Sequence, residues 1–125
     1  MTNKLVIIVS LLFLVNVTFS QTIIKGKWKN LETGSIVEIY NQNELFFGKI
    51  VKVSGANSKE KVGHLLLTNL AYQESSKNYL GQINSTNGMT ASCKIELLNP
   101  NQFRLTVSRL FFKRTQLFVK EKNRR

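Results

Sequence analysis

The chain has 125 residues and a single cysteine. That is enough for one small domain which burial alone must hold together, since no internal disulfide can form. With one His and one Cys, a zinc-type site built from several such ligands is excluded. The 18 Lys+Arg stand against seven acids, all of them Glu, for a formal net charge of +11. A balance this basic favours anionic partners through long-range attraction, such as lipid headgroups, lipopolysaccharide or nucleic acid.

Lys4 supplies a positive start, Leu5 to Val15 is apolar apart from Ser10, and Thr18-Phe19-Ser20 puts small residues at −3 and −1. This is the pattern of a signal peptide cut before Gln21. The apolar run is shorter than the roughly 20 residues a membrane span needs, and no Cys follows it to accept a lipid. The expectation is a signal peptide over 1–20, a domain over 21–125, and export to the periplasm or beyond.

Turn residues recur along 21–125 with β-rich runs between them, which predicts an all-β meander. Strands are expected over 23–29, 35–40 and 45–53, with Glu32-Thr33-Gly34 and Asn41-Gln42-Asn43 as turns. Gly48 predicts a bend or bulge inside the third strand. After the polar loop 54–61, residues His64 to Tyr72 fit a strand or a short helix, because three consecutive Leu show no period; short flanking loops favour the strand. Residues 78–84 form a further strand, and Asn87-Gly88 is a hairpin signal. Met89, Ala91, Cys93, Ile95 and Leu97 alternate with polar residues, as in a strand buried on one face. Beyond Asn99-Pro100-Asn101, Phe103, Leu105 and Val107 face inward. Leu110-Phe111-Phe112 breaks the alternation and predicts a tight turn or bulge. A last strand then returns to Gly26-Lys27-Trp28. About eight strands in sequence can close into a barrel holding side chains or one small ligand; an open sandwich is the alternative.

Gly26-x-Trp28 on the first strand with Arg114 on the last resembles the signature of lipocalins and other calycins, in which the Trp plugs the closed end and the Arg lies across it. A guanidinium over an indole gains about 0.5–2 kcal/mol, so Trp28 and Arg114 are expected as a structural barrel-end pair. A wider resemblance joins Gly26-Lys27-Trp28, Ile36 to Tyr40, Gly48 to Val51, Gly63 to Leu70, Gly81-Gln82-Ile83, Asn87-Gly88, Ser92-Cys93-Lys94 and Arg114-Thr115-Gln116. In that order they resemble an exported bacterial family, domain of unknown function 2147, grouped with the lipocalin-like barrels. The chain departs from it at Ser85-Thr86, where Asp-Pro is usual, at Phe118, where a Trp is usual, and near Ser108 and Arg109, where an Arg-Gly-Tyr segment is lost. The long loop also lacks the family's extra cysteines. The resemblance implies a fold and carries no established activity.

No catalytic residues are assigned. Seven Glu are scattered, mostly at turns or outer faces, and His64 alone could serve as base to a nucleophile. Cys93 falls on a buried face, where a thiol is inert. No enzyme, metal or cofactor is expected. The basic C-terminal quarter is interleaved with Phe, as in single-strand binders, but inward alternation assigns those Phe to the core, which argues against nucleic acid. The expected function is to hold a small apolar or amphipathic ligand, with Phe47, Val51, Met89, Ala91, Ile95, Phe103, Leu105 and Val107 as lining. The alternative is a filled barrel that acts as a basic interaction module on an anionic envelope surface of lipid or lipopolysaccharide.

Overall fold

The computed structural model describes residues 24–55 and 59–122. The expected signal peptide lies outside the described residues. Eight strands run β1 (Gly26–Asn30), β2 (Ile36–Gln42), β3 (Leu45–Lys52), β4 (Leu65–Gln73), β5 (Asn78–Asn84), β6 (Thr90–Asn99), β7 (Gln102–Arg109) and β8 (Phe112–Lys120). Each pairs antiparallel with the next, and β8 returns to β1 to close a barrel in chain order. The sandwich alternative is thereby set aside, and residues 65–73 are strand rather than helix.

Alternation sets the inner and outer faces. On β6 and β7 the odd positions Cys93, Ile95, Phe103 and Leu105 are buried, and on β8 the even position Phe118 is. These side chains join Val37, Ile39, Phe46, Ile50, Leu67, Leu70 and Tyr79 in one core, held by burial of apolar surface.

β4 bends the wall. Gly48 and Lys49 face Leu67 and Leu65, so Leu66 is one residue extra. Asn69, at φ 55°, is extra against both β3 and β5. A bulge of this kind strengthens local twist and turns a corner in a closed sheet. The bulge presses on β5, since a Cβ at Gly81 would lie 2.7 Å from the Thr68 carbonyl oxygen and 2.9 Å from that of Asn69. No side chain fits there.

The connections β1–β2, β3–β4, β5–β6 and β7–β8 gather at one end, here the mouth. Ile24 and the connections β2–β3, β4–β5 and β6–β7 lie at the other, the closed end. Trp28 plugs the closed end. It is fully buried, its indole Nε1 donates to the Ile24 carbonyl at 2.9 Å, and its ring stands 4.6 Å from that of Phe103. Phe103 in turn stacks on Phe118 at 4.8 Å.

The expected partner of that plug is corrected. Lys120, not Arg114, sits over the indole, its Nζ 4.8 Å from the ring centroid. Register decides this: Trp28 faces Lys120 across the β1–β8 seam. Arg114 and Lys120 share a face of β8 but are six residues apart, about 20 Å along a strand. Arg114 therefore belongs to the mouth, where it pairs with Glu32. Lys120 also donates to the Lys25 carbonyl at 2.8 Å, and burial lowers its pKa from the ordinary lysine value.

Candidate functional site

At the mouth the core gives out. A cavity of about 620 Å³ opens there, with Ile50, Leu66 and Ile83 as its apolar floor and Asn30, Glu60, His64, Arg114 and Gln116 among its polar walls. A second hollow of about 360 Å³ adds Met89, Ala91, Val107 and Arg109. The two share Leu66, Ile83, Ser85, Asn87, Arg114 and Gln116, so they form one continuous recess.

Local chemistry fixes its walls. Asn30 is buried at the end of β1. Its Oδ1 accepts the backbone N–H groups of Glu32 and Thr33, at 2.8 and 3.2 Å, which sets the β1–β2 turn. Its Nδ2 donates to Gln116 Oε1 at 3.3 Å, so amides rather than hydrocarbon bridge β1 and β8 just below the rim. The β3–β4 loop is fastened on both sides. Ser35 Oγ donates to Glu60 Oε1 at 2.6 Å, and Thr86 Oγ1 donates to the Lys59 carbonyl at 2.9 Å. His64 donates through Nε2 to the Asn84 carbonyl at 2.7 Å; since a carbonyl only accepts, the proton is on Nε2. Every buried side-chain polar atom among the described residues has a partner.

The eight residues expected as lining divide into three groups. Met89, Ala91 and Val107 line the recess. Ile95, Phe103 and Leu105 are fully buried and fill the deeper half. Phe47 and Val51 are corrected: on β3 the buried positions are Phe46, Gly48 and Ile50, which leaves Phe47 and Val51 on the outer wall. Phe47 stacks there on Tyr40 at 5.9 Å. Both faces of β3 are apolar enough to mislead, and Lys49, sharing the parity of Phe47 and Val51, is the residue that marks the outer one.

Arg114, Arg109, Leu66, Ile83 and Gln116 are recess residues that alternation alone did not single out as lining. Arg114 and Gln116 follow from the parity of Phe118. Leu66 was not readable, because it faces inward only through the bulge beside Leu67.

Cys93 is buried in the filled half, and burial pushes its thiol up to about 12 despite a hydrogen bond with the Gly81 backbone. Among the described residues no three His, Cys, Asp or Glu side chains come together as a metal site.

The family described as "Uncharacterized protein conserved in bacteria (DUF2147)" matches residues 26–120, a span that takes in all eight strands. The chain belongs to this family. Its closed eight-stranded meander is consistent with the lipocalin-like grouping. No curated protein and no solved structure matches it.

Proposed function

We propose that this member of the 2147 family is an exported binding protein, not an enzyme, that holds one amphipathic molecule in the barrel mouth. One observation carries the reading: the recess joins an apolar floor to a rim bearing Arg109 and Arg114. Apolar walls with a few placed polar groups are the usual composition of a small-molecule site. Guanidinium groups recognise carboxylate or phosphate in a fixed fork geometry. An acyl or isoprenoid chain ending in an anionic head fits that combination. Because the deeper half is filled, the chain of such a ligand ends near Ile50 and Val107 instead of threading the barrel.

Native mass spectrometry of the protein recovered from its own host tests this. The expected result is a discrete added mass that organic extraction removes and that Val107→Trp, which fills the recess, abolishes. A bare polypeptide mass under gentle conditions, with no uptake of a fatty-acid probe, would sink the reading.

A further inference from the structure

The most exposed apolar side chains in the described molecule are consecutive. Phe111 is 104% exposed, Leu110 93% and Phe112 77%. They form the tip of the β7–β8 hairpin, where Arg109 pairs with Phe112 and two residues make the turn. Among the described residues nothing covers them. A tight two-residue loop usually takes Asn or Gly, because its backbone enters the left-handed region. Leu110 sits there at φ 52°, a conformation that an ordinary L-residue adopts only at a cost in energy. The chain therefore keeps a large apolar residue at a position where a small polar one would fold more easily.

The surroundings of the tip indicate what it meets. Leu31, Val62 and Met89, each exposed, stand on the three other connections of the same end. The connections and strand ends here carry Lys52, Lys59, Lys61, Arg109, Lys113 and Arg114 against Glu32 and Glu60, and Glu32 is engaged by Arg114. Apolar side chains projecting from a ring of cations match the layered chemistry of a bilayer surface. Anionic headgroups meet the Lys and Arg, and the acyl boundary below receives the Phe and Leu.

We propose that the mouth end docks on an anionic lipid bilayer with Leu110, Phe111 and Phe112 inserted at the level of the headgroups. The docking stands on the tip and its cations alone, whether or not the recess takes a ligand. Its orientation faces the barrel mouth toward the membrane.

Flotation of the host-processed protein with phosphatidylglycerol-containing vesicles, beside vesicles of phosphatidylcholine alone, is the test. Capture by the anionic vesicles is expected. Phe111→Asp, at a fully exposed site that leaves the melting curve unchanged, should weaken capture about tenfold or more. Lys113→Glu should weaken it several-fold on anionic vesicles and leave neutral ones unaffected. In Phe111→Trp protein, anionic vesicles should shift the new emission to the blue, and brominated lipid should quench it. Absence of capture by anionic vesicles overturns the proposal, as does capture that Phe111→Asp leaves intact. A dimer formed without lipid, broken by Phe111→Asp and unaccompanied by vesicle capture, would assign the tip to a second copy of the chain and overturn it as well.

Discussion

Two hairpins of this barrel turn in two residues and enter the turn alike, though only the one at the closed end keeps its second turn residue at positive φ; they differ further in chemistry. At the closed end, Gln42 pairs with Leu45 across a two-residue turn, Asn43-Glu44. At the mouth, Arg109 pairs with Phe112 across Leu110-Phe111. The first turn residue has φ 53° in one and φ 52° in the other. Asn43 suits that backbone, since its short amide tolerates the left-handed region; Leu110 does not. The same contrast runs through the two ends. The closed end is stoppered by Trp28, Phe103 and Phe118, and the groove beside its β2–β3 hairpin is lined by Asn41, Asn43, Glu44 and Tyr72 with no Lys or Arg. The mouth is hollow, cationic and fringed with exposed Phe and Leu. One end is chosen for stability, and the other departs from it.

The largest effect that would break this comparison lies at the plug. Trp28→Ala should cost about 3–5 kcal/mol in urea unfolding, because it removes a fully buried ring and its bond to Ile24. A loss below about 1 kcal/mol would mean that the closed end is not a packed stopper.

A second test reads the filled half through pH. Burial raises Cys93 from 9.0 to about 12, and burial with the neighbouring Tyr72 raises Tyr79 from 10.0 to about 12. Both are acids that the fold keeps protonated. Their contribution is fully present below the unfolded values and is lost as pH rises from 9 and from 10 toward 12. Cys93→Val, with no thiol to ionise, should move the alkaline unfolding midpoint to higher pH, as followed by circular dichroism. An unmoved midpoint would mean that solvent reaches the interior at Cys93.

The smallest effect sharpens the comparison most. Leu110→Asn gives the mouth hairpin the residue found at φ 53° in the other and should raise stability by up to about 1 kcal/mol, measured by thermal melting. It should also lower vesicle capture. A variant that gains stability and keeps full capture would separate the strain at Leu110 from membrane docking.

Much of the barrel was legible because a strand half-buried on one face writes its register into the sequence. Met89 to Leu97 and Phe103 to Val107 alternate cleanly, and each does face as its pattern implies. Trp28 as plug was legible too. Failures came where alternation carries no information. β3 is apolar on both faces, so Phe47 and Val51 were read inward. Arg114 and Lys120 lie on the same face of β8, and only the register of the β1–β8 seam, formed by residues at the two ends of the fold, says which cation reaches Trp28. The break in alternation at Leu110-Phe111-Phe112 marks the turn that the structure places at Leu110-Phe111, but counting these Phe with the inward ones, as Phe103 and Phe118 are, hides their exposure. A two-residue turn leaves no inside for the residues at its tip, and that geometric fact, not their hydrophobicity, puts them in solvent.

The β1–β8 seam has a kinetic consequence. Seven of the eight strand pairings join neighbours in the chain, and each can zip from its own turn. The eighth joins Trp28, Lys29 and Asn30 to residues about 90 positions away, through three register pairs. Loop-closure entropy delays such a contact until the rest of the wall has brought its ends together. The bonds Leu31 N–H to the Leu117 carbonyl and Glu121 N–H to the Lys27 carbonyl, at 2.9 and 2.8 Å, then fasten the seam at both of its ends. The barrel is thus expected to assemble as an open ribbon and to be sealed last by its shortest strand. That strand carries the indole which fills the hole the sealing leaves.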